Sequence, residues 1–183
     1  MTGPEATGRG ADTVWRLDGV LLDALAALGA PFERVEAGAY AVTLHGLRRP
    51  STVVWLLAGE QAVAVEAFVM HVIPDACPSP AALHRHLLAR NLQLRGVHFG
   101  LDDVGDVFLT GSLPLPATDE DGVDRALGEV LQTLEDEQAA LLALAYGDRL
   151  ATDAALAAKV LPDGAGRRPA GTPDWAPRRD PRR

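Results

Sequence analysis

The sequence predicts an α+β domain built on an antiparallel sheet. Three observations carry that reading: segments of strand periodicity follow one another through short turns, segments of helical periodicity stand only at the ends of those strand runs, and 183 residues, 48% of them hydrophobic, suffice for one domain without disulfides. The expected order is α-β-β-β(-β)-α-β-β-α.

The first helix is read from Trp15 to Leu28, where Leu17, Leu21, Leu22, Leu25 and Leu28 recur with a 3.6-residue rhythm before Gly29 and Pro31 stop it. Phe32 to Glu36 and Tyr40 to Leu47 form a strand pair about Ala-Gly. The run STVVWLLAG is a strand apolar on both faces, and Gly59-Glu60 turns it into QAVAVEAFVMHVI. In that second arm Val63, Val65, Ala67, Val69, His71 and Ile73 alternate with Ala64, Glu66, Phe68, Met70 and Val72, so one side meets the core and the other is covered or meets a partner. The loop Pro74 to Pro78 closes the segment. Ser79 then supplies an N-cap and Pro80 the first helical residue of a second helix, with Leu83, Leu87 and Leu88 on its buried face and its end near Asn91. GVHFGLD and DVFLTGSLP flank a turn at Asp103-Val104-Gly105. Thr118 is expected to cap the last long helix, which runs to Tyr146 with Gly147 as its C-cap, and ATDAALAAKV adds a short final one.

Domain limits follow from composition. Residues 1–13 are expected to be disordered, residues 14–161 to form the domain, and residues 162–183 to be a disordered tail of five Pro, three Gly, six Arg and three Asp. The formal charge of −8 therefore joins two unlike parts, because residues 1–161 carry 11 basic and 22 acidic groups. An acidic domain does not suit nucleic acid as a partner. No uninterrupted apolar run approaches a membrane span, the first residues lack a leader's apolar region, and the single cysteine, Cys77, fits a reducing compartment, so the expectation is a cytoplasmic protein without membrane contact.

Candidate chemistry is sparse. His84 and His86 point apart on a helix, and His45, His71 and His98 lie on three separate strands, so no metal site is expected. Cys77 has His71 near it in sequence, but Pro74 and Pro78 stiffen the loop and nothing marks an oxyanion hole, and Asp102, Asp103 and Asp106 lack the EF-hand spacing, since position 12 counted from Asp102 is Leu113. No P-loop occurs, and neither cofactor nor catalytic residue is assigned. Glu66 is the unusual carboxylate, sharing a strand face with Phe68 and Met70; its readings are an ion pair with an arginine such as Arg95, a sheet edge, a dimer contact or catalysis. The last helix holds eight acidic residues and one basic between Thr118 and Tyr146, opposite an apolar stripe. The candidate interaction surface is therefore Trp55, Glu66, Phe68 and Met70 of the two-faced hairpin, with Glu135, Asp136 and Glu137 of that helix.

A wider pattern runs from Glu66-Ala67-Phe68-Val69 through Pro74-Asp75 and Leu87-Leu88-Ala89-Arg90-Asn91. It continues through Gly96-Val97-His98-Phe99 and Asp102 to Val107 and ends at Leu113-Pro114-Leu115-Pro116. Over about residues 14 to 148 it resembles the YbjN family, described as bacterial sensory transduction regulators, in its actinobacterial branch. The resemblance implies a fold like that of type III secretion chaperones, small α+β units that dimerise and bind proteins. The leading functional expectation is thus a non-enzymatic protein-binding or regulatory module, a homodimer with a protein partner. The alternative is a sensor holding a small metabolite between sheet and helix, and the third is an enzyme with a cleft around Glu66 and His71.

Overall fold

The structure, a computed structural model, describes residues 5–72 and 77–147, with side chains from residue 12 onward. The expected short helix within 151–160 and the tail at 162–183 lie outside the described residues.

Among the described residues, three α-helices and six strands follow in the order α1 (Glu5–Leu28), β1 (Phe32–Glu36), β2 (Ala39–Leu44), β3 (Thr52–Ala58), β4 (Ala62–Met70), α2 (Pro80–Asn91), β5 (Val97–Leu101), β6 (Val107–Pro114) and α3 (Glu120–Tyr146). The class is α+β, and the variable fourth strand of the first run is present. All neighbours pair antiparallel in the order β1-β2-β3-β4-β6-β5, so α2 carries the chain across the sheet from β4 to the far edge and β6 returns between them.

Two boundaries differ from expectation. Helix α1 starts at Glu5, ten residues before the expected Trp15. Glu5, Ala6, Arg9 and Ala11 are good helix formers, and each isolated glycine among them weakens a helix by only about 1 kcal/mol. The N-cap of α3 is Asp119, whose Oδ1 accepts from the Gly122 amide at 2.8 Å, while Thr118 donates its hydroxyl to the Pro114 carbonyl across a short 3-10 turn. Ser79 caps α2 as expected, but only Leu83 and Leu87 of that helix are buried; Leu88 is 68% exposed, because the sheet-facing stripe is narrower than three leucines suggest.

One core unites the molecule. Leu17, Leu21 and Leu25 of α1, Leu83 and Leu87 of α2, and Val123, Leu127, Val130, Leu134 and Leu141 of α3 meet one face of the sheet, represented by Tyr40, Val42, Val54, Leu56, Val65, Ala67, Leu109 and Phe99. Cys77 is buried in the same core, its thiol 3.7 Å from the Leu144 carbonyl of α3. Helix α3, about 40 Å long at 1.5 Å per residue, crosses β3, β4, β6 and β5 and touches both other helices.

The β5 edge is closed by a side chain. Asn91, at the end of α2, donates Nδ2–H to the Phe99 carbonyl at 3.0 Å and accepts the Phe99 amide on Oδ1 at 2.7 Å. It thus pairs with β5 as a neighbouring strand would and blunts an edge that could recruit another chain. Asn91→Ala should lose about 2 kcal/mol, roughly two hydrogen bonds at 1 kcal/mol each, and should associate as concentration rises. Urea unfolding and light scattering check this; an unchanged midpoint would show that the amide contributes nothing to the edge.

Candidate functional site

The face of the sheet opposite the helices is the candidate site. Strand pairing carries one row of side chains across all six strands, Glu33–Ala41–Trp55–Glu66–Thr110–His98. Adjacent rows on that face place Val53 beside Thr43 and Phe68 beside Phe108, and align Glu36, Ala39, Leu57, Ala64 and Ser112. Partly buried Val53, Trp55, Phe68 and Phe108 are not among the hydrophobic side chains packed against the core. Strand residues facing this way include three glutamates, Glu33, Glu36 and Glu66, and no lysine or arginine. Glu33, Thr110 and His98 are exposed, Trp55 half-buried and Glu66 buried.

One end of this face is aromatic. The Phe68 and Phe108 rings lie edge to face at 5.5 Å, and the His71 ring sits 4.6 Å from Phe68. Asp106 anchors that histidine, with Oδ2 2.7 Å from His71 Nδ1 while Oδ1 accepts the Val72 amide at 3.3 Å. The Tyr146 hydroxyl donates to the His71 carbonyl, tying the end of α3 to the end of β4, and burial pushes that phenol up. Asp102, far from forming a calcium loop, accepts the Val104 and Asp106 amides on one carboxylate oxygen and fixes the β5–β6 turn, where Gly105 takes a φ of 91°.

Of the expected interaction residues, the structure brings Trp55, Glu66 and Phe68 together and separates the rest. Met70 is corrected to the opposite face: the β4–β6 register shifts between Phe68 and Met70, and this bulge turns Met70 into the core opposite Val107, 6% exposed. Arg95 sits before β5 with its amide on Glu129 at 3.3 Å. The acidic triplet of α3 is largely occupied within the chain. Glu135 accepts the amides of Arg48 at 2.9 Å and Arg49 at 3.0 Å, which holds its carboxyl below the usual range, Arg48 first and Arg49 second. A Cβ on Gly46 would stand 2.1 Å from that carboxylate, so a larger residue there would have to displace the Glu135 side chain. Glu137, buried, pairs with His86 Nε2 at 2.6 Å and Arg90 Nε at 2.6 Å, and Asp136 alone of the three is exposed.

Sequence reading missed Glu33, Glu36, Phe108, Thr110 and His98 as members of this face, and Arg49 as its support. Alternation within each strand carried the signal, but the register joining β1, β5 and β6 to the central hairpin did not appear in any one segment. The histidines end in different places: His45 Nδ1 lies 2.9 Å from the Pro50 carbonyl, His71 is at Asp106, His86 at Glu137, His98 on the outer face, and His84 exposed on α2.

Residues 18–143 match YbjN, the family described as "Putative bacterial sensory transduction regulator". The chain belongs to the YbjN family. Among its relatives, an uncharacterised protein of Mycobacterium leprae is 39% identical over 140 residues, 74% of each chain. An uncharacterised protein of Mycobacterium tuberculosis is 43% identical over 105 residues, 57% of this YbjN chain and 56% of its own. Among solved structures, the chain is similar to one in the crystal structure of the Yersinia pestis type III secretion chaperone SycH in complex with a stable fragment of YscM2, at 20% identity and a TM-score of 0.49, covering 66% of this chain and 98% of that one. A chain of the heterodimeric ExoU–SpcU complex of Pseudomonas aeruginosa gives 17% identity and a TM-score of 0.46, covering 67% and 95%. Among the described residues, no helix is long and apolar enough to cross a membrane.

Proposed function

We propose that this YbjN chain is a non-enzymatic protein-binding module of the cytoplasm whose docking surface is the outer face of the sheet. The supporting observation is the row Glu33–Ala41–Trp55–Glu66–Thr110–His98 with the Phe68–Phe108 pair beside it, an apolar and aromatic surface whose strand residues include three glutamates and no lysine or arginine. Such a surface suits a partner segment presenting arginine or lysine among apolar residues, since aromatic faces and carboxylates both attract guanidinium groups. A second copy of the chain laid on the same face would bring three glutamates against three, which opposes self-association there. The homodimer the family resemblance implies is therefore assigned to another surface.

A photo-crosslinking residue placed at Thr110 or His98 should yield in cells a discrete adduct with another protein, weakened by Glu33→Lys, whereas the same probe at exposed Leu88 on α2 should not. The captured segment should be basic. Adducts at Leu88 but none on the outer face, or an adduct that proves to be a second copy, would overturn this assignment.

A further inference from the structure

The same face has a candidate occupant within the chain, and this inference rests on reading that face as a protein-docking surface. We propose that the Pro- and Arg-rich residues 162–183 dock on it in cis and compete with the external partner.

Position comes first. Helix α3 ends at Gly147, where an added Cβ would stand 3.0 Å from Pro78, and its last residue, Tyr146, donates to the His71 carbonyl. The His71 ring lies 4.6 Å from Phe68, so the chain leaves the domain at the aromatic end of the outer face. Residues 148–161 then precede the segment; with the expected helix over 151–160 at about 1.5 Å per residue and the other four extended at about 3.3 Å, they reach roughly 28 Å, enough to span a six-stranded sheet of roughly 25 Å at 4.8 Å per strand.

Chemistry comes second. The segment carries six arginines and three aspartates, opposite a face whose described strand residues include three glutamates and no lysine or arginine. Its five prolines favour the extended polyproline conformation, which loses little entropy on binding and docks on aromatic-lined surfaces. Trp55, Phe68 and Phe108 supply such a surface for arginine to stack on, and exposed Glu33, in the same row as Trp55, offers a carboxylate to pair with it. The exposed acids of α3 are a poorer target: Glu120, Asp121 and Asp124 lie at its first turns, the far end from Gly147, and Asp136 is engaged by Gln132 at 2.8 Å and Arg90 at 3.8 Å. Tethering gives the segment a local concentration in the millimolar range, so weak contacts suffice for occupancy.

The test uses the full chain in two forms. In the first, Trp175→Cys with Cys77→Ala carries a nitroxide at position 175, and amide signals are read at low salt in the absence of partner. Loss of intensity at Trp55, Glu66, Thr110 and Phe108, persisting when the labelled protein is diluted into unlabelled chain, supports cis docking. Loss confined to the start of α3, loss that vanishes on dilution, or no loss overturns it. In the second form Arg178, Arg179, Arg182 and Arg183 are changed to glutamate without a label, which leaves the core untouched; amide shifts should move on the outer face alone, and unmoved shifts there overturn the proposal. Because neither form contains the partner, crosslinks at Thr110 without tail contacts would discard the tail's role alone, and tail contacts without crosslinks would discard the external partner alone.

Discussion

Asp18→Asn is expected to lower the unfolding free energy by about 3 kcal/mol, a fall in Tm of roughly 6–12 °C for a domain of this size. Asp18, on α1, is 7% exposed and gathers four donors onto one carboxylate: Arg34 Nε at 3.0 Å and Nη2 at 2.6 Å, the Gly38 amide at 2.8 Å and the Tyr40 hydroxyl at 2.7 Å. It thereby ties the first helix to the β1–β2 turn, where Gly38 holds a φ of 76° and brings its amide inward. Asparagine keeps the shape but removes the charge and turns an N–H toward a donor. The magnitude sits at the low end for a broken buried pair because the Arg34 side chain is 41% exposed and water recovers part of its interaction.

The same carboxylate sets an acid limit. The Arg34 guanidinium, then the Gly38 amide and Tyr40 hydroxyl, hold Asp18 at about 2 against an ordinary 3.8, overcoming the opposing effect of burial. Burial, and after it the neighbouring Asp18, pushes Tyr40 up to about 12. A folded-state pKa below the unfolded one contributes stability that is present above about pH 4 and disappears as pH falls through 2. The contribution here is about 2 kcal/mol. Urea midpoints of the wild type should fall across that window, and those of Asp18→Asn should lack this component. A gap between the two proteins that stays constant from pH 5 to pH 2 would remove Asp18 as the titrating group.

The elements were legible where periodicity and punctuation agreed. Leu17, Leu21 and Leu25 announced α1, Ser79-Pro80 announced α2, and Gly59-Glu60 announced the β3–β4 hairpin. The proposed docking surface was legible only in part, for two physical reasons. Its strand β4 is apolar on both sides, so Val63 to Ile73 alternates without saying where a bulge falls, and Met70 was placed beside Phe68 when one extra residue turns it inward. The acids of α3 misled in the opposite direction. Glu129, Glu135 and Glu137 look like a solvated face, yet Glu129 and Glu135 accept loop amides and Glu137 pairs with α2. A backbone donor leaves no mark in the sequence of its acceptor. With these three engaged internally, the surface reading moves from the helix to the sheet.

Arg49 joins the two halves of that account, and its replacement by alanine is expected to lower stability by about 4 kcal/mol. Arg49 is 7% exposed, and burial pushes its guanidinium pKa down from the ordinary value. Nη1–H donates to the Val69 carbonyl at 2.7 Å and Nη2–H to the Phe68 carbonyl at 3.0 Å, the two peptides at the β4 bulge. The irregular ladder there needs donors from elsewhere, and the planar fork meets two adjacent carbonyls at once. Glu135 fixes the loop that delivers it by accepting the Arg49 amide. Alanine would strip the side-chain donors from both carbonyls, at about 1–3 kcal/mol each, and leave a void along the lost aliphatic stem. Lysine, a single ammonium on a flexible stem, should restore less than half of the loss. Because the bulge decides that Phe68 faces outward and Met70 inward, Arg49→Ala should also shift the Phe68 and Phe108 ring signals and reduce crosslinking at Thr110, whereas Asp18→Asn, measured at a temperature where it stays folded, should not. Urea unfolding with aromatic NMR separates the two variants; a loss below about 1 kcal/mol for Arg49→Ala, with ring signals unmoved, would mean that the bulge is held by strand pairing alone.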